Sequence, residues 1–194
     1  MKALYTSEEL LNIVEPLLSE KRFFHTVCVA EEAVRLANRF GCDPSKAEAA
    51  GLLHDIMKDT DFGEQLKILG RFGIILTGIE KISMPVWHQI TGAVYIQNTL
   101  GIDDDEIVNA VRYHTTGRKG MGILEKVVYI ADAVSADRQY KGADDIRLAL
   151  EKGLDEAMAV NTGLVIRSFA KKLLPIVPDT FEAYNEAVTS LINK

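Results

Sequence analysis

No segment of this chain sustains the apolar and polar alternation that a half-buried strand requires, whereas helix start and stop signals recur along its length. That contrast predicts an all-α fold. Thr6-Ser7-Glu8-Glu9 reads as a capping box ahead of apolar Leu10, Val14 and Leu17, so a first helix is expected to run to about Ser19. A second helix places Phe24, Val27, Val34 and Ala37 on its packing side and stops near Gly41, where a missing side chain suits a left-handed end. Asp43-Pro44 opens a third, with aspartate as cap, proline in the first helical position, and Ala47, Ala50 and Leu53 as its packing stripe. Asp61-Phe62-Gly63-Glu64 starts a short helix, and the glycine-rich stretch from Gly70 to Gly78 reads as a connection suited to covering a pocket. A helix over 84–100 follows, and Asp103-Asp104-Asp105-Glu106 caps the next. Ile123, Val127, Ile130 and Val134 then repeat at helical spacing. Further helices are expected around 144–151, 155–173 and 180–192, the last with Asp179 and Glu182 as a capping pair.

With no internal repeat and no low-complexity linker, 194 residues that are 47% hydrophobic suffice for a core but leave no room for two full-sized domains. Residues 1–194 are therefore expected to form a single domain. A net charge of −6 disfavours a nucleic-acid polymer as partner, while a local basic pocket could still hold a small phosphate compound. Cys28 and Cys42 form neither a Cys-x-x-Cys motif nor a disulfide framework, and the N-terminal stretch lacks a continuous apolar leader. No apolar run reaches membrane-spanning length. The expectation is a soluble, cytoplasmic protein without a membrane partner; a homodimer is compatible with the sequence.

The chemistry is carried by histidine. All four histidines, His25, His54, His88 and His114, fall in or beside helical segments; His54 is followed directly by Asp55, and Ala131-Asp132 projects an acid from an otherwise apolar helix. Neutral imidazole binds borderline metals well, and a neighbouring carboxylate can bridge two ions. A divalent ion lowers the pKa of bound water from ~15.7 toward ~7, and paired ions also polarise a phosphoryl oxygen. The six side chains suffice for two ions. If the histidines were ordinary core residues, four separate explanations would be needed, and Asp55 and Asp132 would be left without partners. Cys28, one turn after His25, is read as a small apolar group rather than a ligand.

The series His25, His54-Asp55, Asp132 resembles the HD-domain superfamily of metal-dependent phosphohydrolases. More narrowly, Gly51-Leu52-Leu53-His54-Asp55-Ile56-Met57-Lys58, His88 with Gly92-Ala93, and Arg112-Tyr113-His114-Thr115-Thr116-Gly117-Arg118 are similar to the bacterial YqeK-type proteins, which are symmetrical diadenosine tetraphosphate hydrolases. The resemblance implies a helical bundle with a metal-binding core over about 21–140, completed by C-terminal helices over about 144–192. It also implies that His25, His54, Asp55 and Asp132 hold one divalent ion, while Asp55 bridges to a second held by His88 and His114. Iron is the metal implied, with manganese compatible. Asp55, Lys58 and Arg118 would be the catalytic set. Lys58 follows the doublet by one helical turn, and the Arg118 fork suits paired phosphate oxygens. Thr115 and Thr116 would offer hydroxyls and Gly117 a close backbone approach to substrate. After Asp132 the resemblance leads to Glu-Pro-x-Arg, whereas this chain reads Ser135-Ala136-Asp137-Arg138, which puts the reach of Arg138 to substrate in question. Trp87, the sole tryptophan, is read as core rather than as a base-stacking residue. The reaction implied is symmetrical hydrolysis of diadenosine tetraphosphate to two ADP by a metal-activated hydroxide. Hydrolysis of a guanosine alarmone, a di-iron oxygenase and a non-catalytic nucleotide sensor are the alternatives.

Overall fold

The Thr6 hydroxyl accepts from the Glu9 amide and the Glu9 carboxylate accepts from the Thr6 amide, so the expected capping box starts α1 (Ser7–Val14). Pro16 cuts the helix short of Ser19: lacking an amide proton, it continues the chain as a 3₁₀ turn over Glu15–Leu17. The computed structural model describes residues 5–192; residues 1–4 and 193–194, part of the N-terminal stretch and the ends of the expected domain, lie outside the described residues. α2 (Glu20–Phe40) ends at Gly41 with φ 80°, and Asp43 caps α3 (Pro44–Leu53) by accepting from the amides of Ser45 and Lys46. α4 (Phe62–Arg71) starts at Asp61, and α5 (Gly78–Ile82) at a Thr77–Glu80 capping box. A 3₁₀ turn at Met84–Val86 leads into α6 (Trp87–Asn98), and Asp104 caps α7 (Asp105–Tyr113). α8 (Ile123–Val134), α9 (Lys141–Lys152), α10 (Leu154–Lys171) and α11 (Pro178–Ile192) complete the order, with no strand among the described residues. Because α11 begins at Pro178, Asp179 lies in its first turn rather than at its cap.

α3 and α8 form the centre. α3 packs on α1, α2, α7 and α8; α8 packs on α2, α7, α9 and α10. Leu36, Leu53, Ile107, Val111, Val127 and Ile130 are wholly buried there, each contributing roughly 1.5–3 kcal/mol of transfer free energy. The approach of α2 to α3 depends on Gly51, where a Cβ would sit 2.7 Å from Ala30 Cα. No larger residue allows that spacing, which sets His54 beside His25.

The packing face of α2 differs from the expected stripe. Thr26, Val29, Ala30, Ala33, Leu36 and Ala37 are buried, Val27 and Val34 are only half-buried, and Phe24 is 62% exposed. The helix is rotated so that His25, not Phe24, faces inward. In the connection between α4 and α5, Leu76 packs with Leu69, Val86, Trp87 and Ile90 into a satellite core. Trp87 belongs to that core, its indole nitrogen donating to the Glu80 carbonyl at 2.6 Å. α9, α10 and α11 pack in sequence beside α8.

Candidate metal centre

α2, α6 and the C-terminal ends of α3 and α7 each present one imidazole to the same interior point, and α8 presents Asp132. Asp55 Oδ1 lies 3.1 Å from His88 Nε2 and 3.3 Å from His114 Nε2, while its Oδ2 lies 3.7 Å from His54 Nε2. Asp132 Oδ1 is 2.9 Å from His25 Nε2. Three overlapping triads have donor atoms all within 4.8 Å of one another: His25, His54 and Asp55; His54, His114 and Asp132; Asp55, His88 and His114. All six side chains singled out as ligands are thus brought together, and Asp55 is shared between two triads. Cys28 is buried and belongs to none of them.

The rings are oriented from behind. His54 Nδ1 donates to the Gly51 carbonyl at 2.7 Å, His88 Nδ1 to Pro85 at 2.7 Å, and His114 Nδ1 to Val111 at 2.8 Å, each three residues back. A carbonyl only accepts, so the proton of each neutral ring is on Nδ1 and the lone pair on Nε2 faces the carboxylates. Burial pushes the pKa of His54 and of His88 down to about 4, keeping those rings neutral at pH 7.

Two observations test whether a metal fits. His54 Nε2 is buried with no hydrogen-bond partner, an arrangement that disfavours folding unless a cation accepts the lone pair. His88 Nε2 and His114 Nε2 lie 3.1 Å apart, each on a ring whose Nδ1 is turned to a main-chain carbonyl, so both second nitrogens face the same interior point. A divalent ion there would be bound by both. The residues fit the group.

His25 is held differently. Its Nδ1 is 2.8 Å from Asp137 Oδ2, and Asp137 Oδ1 accepts from the Ser135 hydroxyl at 2.7 Å. The Ser-Ala-Asp sequence that departs from the expected Glu-Pro therefore supplies a carboxylate that orients His25. Burial acts to lower the His25 pKa, but the Asp132 hydrogen bond and charge prevail and raise it. For Asp132 and Asp55, burial acts in the raising direction. It is overcome at Asp132 by the His25 hydrogen bond with Arg138 beside it, and at Asp55 with Lys58 beside it, so both carboxyls stay well below their ordinary range.

Three cations border the carboxylates. Lys58 Nζ is 3.0 Å from His88 Nε2 and 3.6 Å from Asp55 Oδ1. Arg138 reaches the centre despite the altered sequence before it, donating to Asp132 Oδ1, and its guanidinium lies 3.1 Å from His25 Nε2. Arg22 donates to Asp55 Oδ2 at 2.9 Å. Sequence patterning does not single out Arg22, although it precedes His25 by three residues and so shares its helix face.

The turn after α7 is divided. The Thr115 hydroxyl lies 3.1 Å from His88 Nε2 and 3.0 Å from His114 Nε2, at the centre itself. Thr116 is buried and holds Gln89, another residue that sequence patterning misses, which accepts from the amides of Thr115 and Thr116. Gly117 has φ 64°, and a Cβ there would meet Ala183 Cβ at 3.0 Å, so its backbone approaches α11 rather than a ligand. Arg118 carries a different load from the one expected: its guanidinium grips Glu125 at 2.7 and 3.0 Å and lies 4.7 Å from the centre of the Tyr113 ring.

Known proteins agree with this geometry. Residues 22–137 match the HD domain family. Over 94% of its length the chain is 38% identical to the symmetrical bis(5'-nucleosyl)-tetraphosphatase of Bacillus subtilis, of which 97% is covered. It is 32% identical to the Staphylococcus aureus protein of the same description, covering 95% of this chain and 92% of the relative. The crystal structure of a protein from Clostridium acetobutylicum, described as a predicted HD superfamily hydrolase involved in NAD metabolism, superimposes with a TM-score of 0.92 at 31% identity, covering 97% of this chain and all of that one. With its histidine and aspartate cluster in place between the helices, the chain belongs to the HD-domain family of metal-dependent phosphohydrolases, among the YqeK-type proteins.

Proposed function

We propose that the protein hydrolyses diadenosine tetraphosphate, or a related dinucleoside polyphosphate, symmetrically to two nucleoside diphosphates. The observation that carries this reading is the convergence of four oriented imidazoles on Asp55 and Asp132, with three cations at the rim, in a chain similar along its length to symmetrical tetraphosphatases. His25, His54, Asp55, His88, His114 and Asp132 would hold two divalent ions, iron first and manganese next. When bound, such ions supply an activated water and Lewis acidity toward phosphoryl oxygens.

The protein's own side chains do the rest. Lys58, Arg22 and Arg138 offer donors where negative charge grows on the phosphoryl oxygens, in a half-buried setting that strengthens each contact. The Thr115 hydroxyl adds a neutral donor beside His88 and His114. A leaving nucleoside diphosphate is acidic enough to depart without a strong general acid. Arg118 and Thr116 act indirectly, the first by tying the turn to Glu125, the second through Gln89. The small nucleotide is the partner proposed. Among the described residues no helix is long and apolar enough to cross a membrane.

Asp55→Ala removes the carboxylate common to two triads. It should abolish both tight metal binding, read by elemental analysis after gel filtration, and hydrolysis of diadenosine tetraphosphate. Retained activity in that variant would sink the proposal.

A further inference from the structure

Beside His25 the surface folds into a cavity of about 430 Å³ lined by Ser19, Lys21, Arg22, Phe24, His25, Asp137 and Arg138, with the Asp137 carboxylate engaged by Ser135 and His25. Its inner wall is the candidate centre: Arg22 is bonded to Asp55 and Arg138 to Asp132, beside His25. Its outer wall carries Phe24, 62% exposed on a helix whose other long apolar side chains turn inward or lie half-buried. Lys21, Phe24 and His25 are neighbours at three- and four-residue spacing on one face. A ring left in water between a cationic rim and a metal ligand gains nothing from the fold. It gains substantially from a flat apolar partner, since base stacking on an aromatic side chain contributes ~1–3 kcal/mol.

We infer that this cavity holds one nucleoside diphosphate half of the substrate, with the base stacked on Phe24 and the phosphates against Arg22 and Arg138. The inference rests on the dinucleoside polyphosphate reading and adds to it the place of one base. The chemistry of the cavity selects a planar base joined to a short phosphate chain: the cations sit inside, toward the reacting centre, and the aromatic outside. Trp87 is unavailable for this task, being buried and bonded to the Glu80 carbonyl.

The test uses manganese-loaded protein and two probes, ADP and inorganic pyrophosphate, titrated calorimetrically into wild type, Phe24→Ala, Phe24→Trp and, as an exposed apolar control, Leu148→Ala, whose side chain is 69% exposed. Phe24→Ala should weaken ADP about 5- to 100-fold and leave pyrophosphate unchanged, Phe24→Trp should retain ADP binding, and Leu148→Ala should behave as wild type. With diadenosine tetraphosphate, KM of Phe24→Ala should rise with kcat little altered, the signature of lost uniform binding. ADP affinity unaffected by Phe24→Ala, or ADP and pyrophosphate weakened together, would overturn the inference. Should wild type leave diadenosine tetraphosphate intact while Phe24→Ala still loses ADP, the functional reading falls and the subsite stands. Cleavage by wild type with an unmoved KM in Phe24→Ala removes the subsite and leaves the functional reading in place.

Discussion

Three of the four clustered histidines are oriented by main-chain carbonyls that no side-chain substitution removes, whereas His25 is oriented by the Asp137 carboxylate at 2.8 Å. Asp137→Ala therefore strips the support from one ring and spares the others. Asp137 is ionised in the fold: burial acts to raise its pKa, but Ser135 and His25 hold it below the ordinary carboxylate value. Losing such a support typically weakens metal binding 10- to 100-fold, equivalent to about 1.4–2.7 kcal/mol, because the ring then samples orientations that turn Nε2 away. Asp137→Asn keeps an acceptor but no charge, so its loss should stay near or below about tenfold. Ser135→Ala, which removes only the anchor at 2.7 Å, should cost less still. Competition of manganese with a chromophoric chelator reads these affinities without reference to turnover. The expected pattern is two classes of ion in wild type and one class weakened in Asp137→Ala, the class associated with Asp55, His88 and His114 being unchanged. Equal weakening of both classes, or of neither, would refute the reasoning that Asp137 acts through His25.

Two further outcomes concern the scaffold. Gly51→Ala forces a Cβ to within 2.7 Å of Ala30 Cα, and the resulting overpacking should destabilise the protein by about 1–3 kcal/mol, exceeding the gain of up to about 1 kcal/mol from helix propensity; a raised Tm in thermal unfolding contradicts the account of α2–α3 packing. Asp104→Ala removes the cap of α7 and should cost about 1 kcal/mol by denaturant titration at pH 7. Burial acts to raise the Asp104 pKa, but Lys46 and the capped amides lower it. Its contribution is thus complete above the unfolded value of about 3.9 and fades as pH falls below that through the depressed folded value. The gap between wild type and variant should shrink on acidification; a gap that widens contradicts it.

The helices were legible because their signals are local. Thr6 with Glu9, Asp43 with Pro44, and Asp104 cap with partners two or three residues away, so spacing alone reveals them. The clustered set was legible for another reason: imidazoles and carboxylates on apolar helices demand partners, and the described fold brings those six together. What sequence obscured was direction. α2 has large apolar residues on more than one side, and periodicity placed Phe24 inward, whereas the need to bury His25 turned the helix. Arg118 follows His114 closely in sequence, but its guanidinium pairs with Glu125, a partner that spacing from His114 does not reveal. Arg22 and Asp137 escaped notice because their partners, Asp55 and His25, lie 33 and 112 residues away. Arg138 shows the converse: Ser135 and Ala136 in place of Glu-Pro did not prevent its return to Asp132.

The central claim is metal-dependent symmetrical cleavage. It is tested most directly by incubating ferrous-loaded protein anaerobically with diadenosine tetraphosphate, beside an EDTA-treated sample, and separating the products by ion exchange. The account predicts two ADP per substrate with no AMP or ATP, and no reaction after chelation. AMP with ATP, or cleavage indifferent to EDTA, would contradict it.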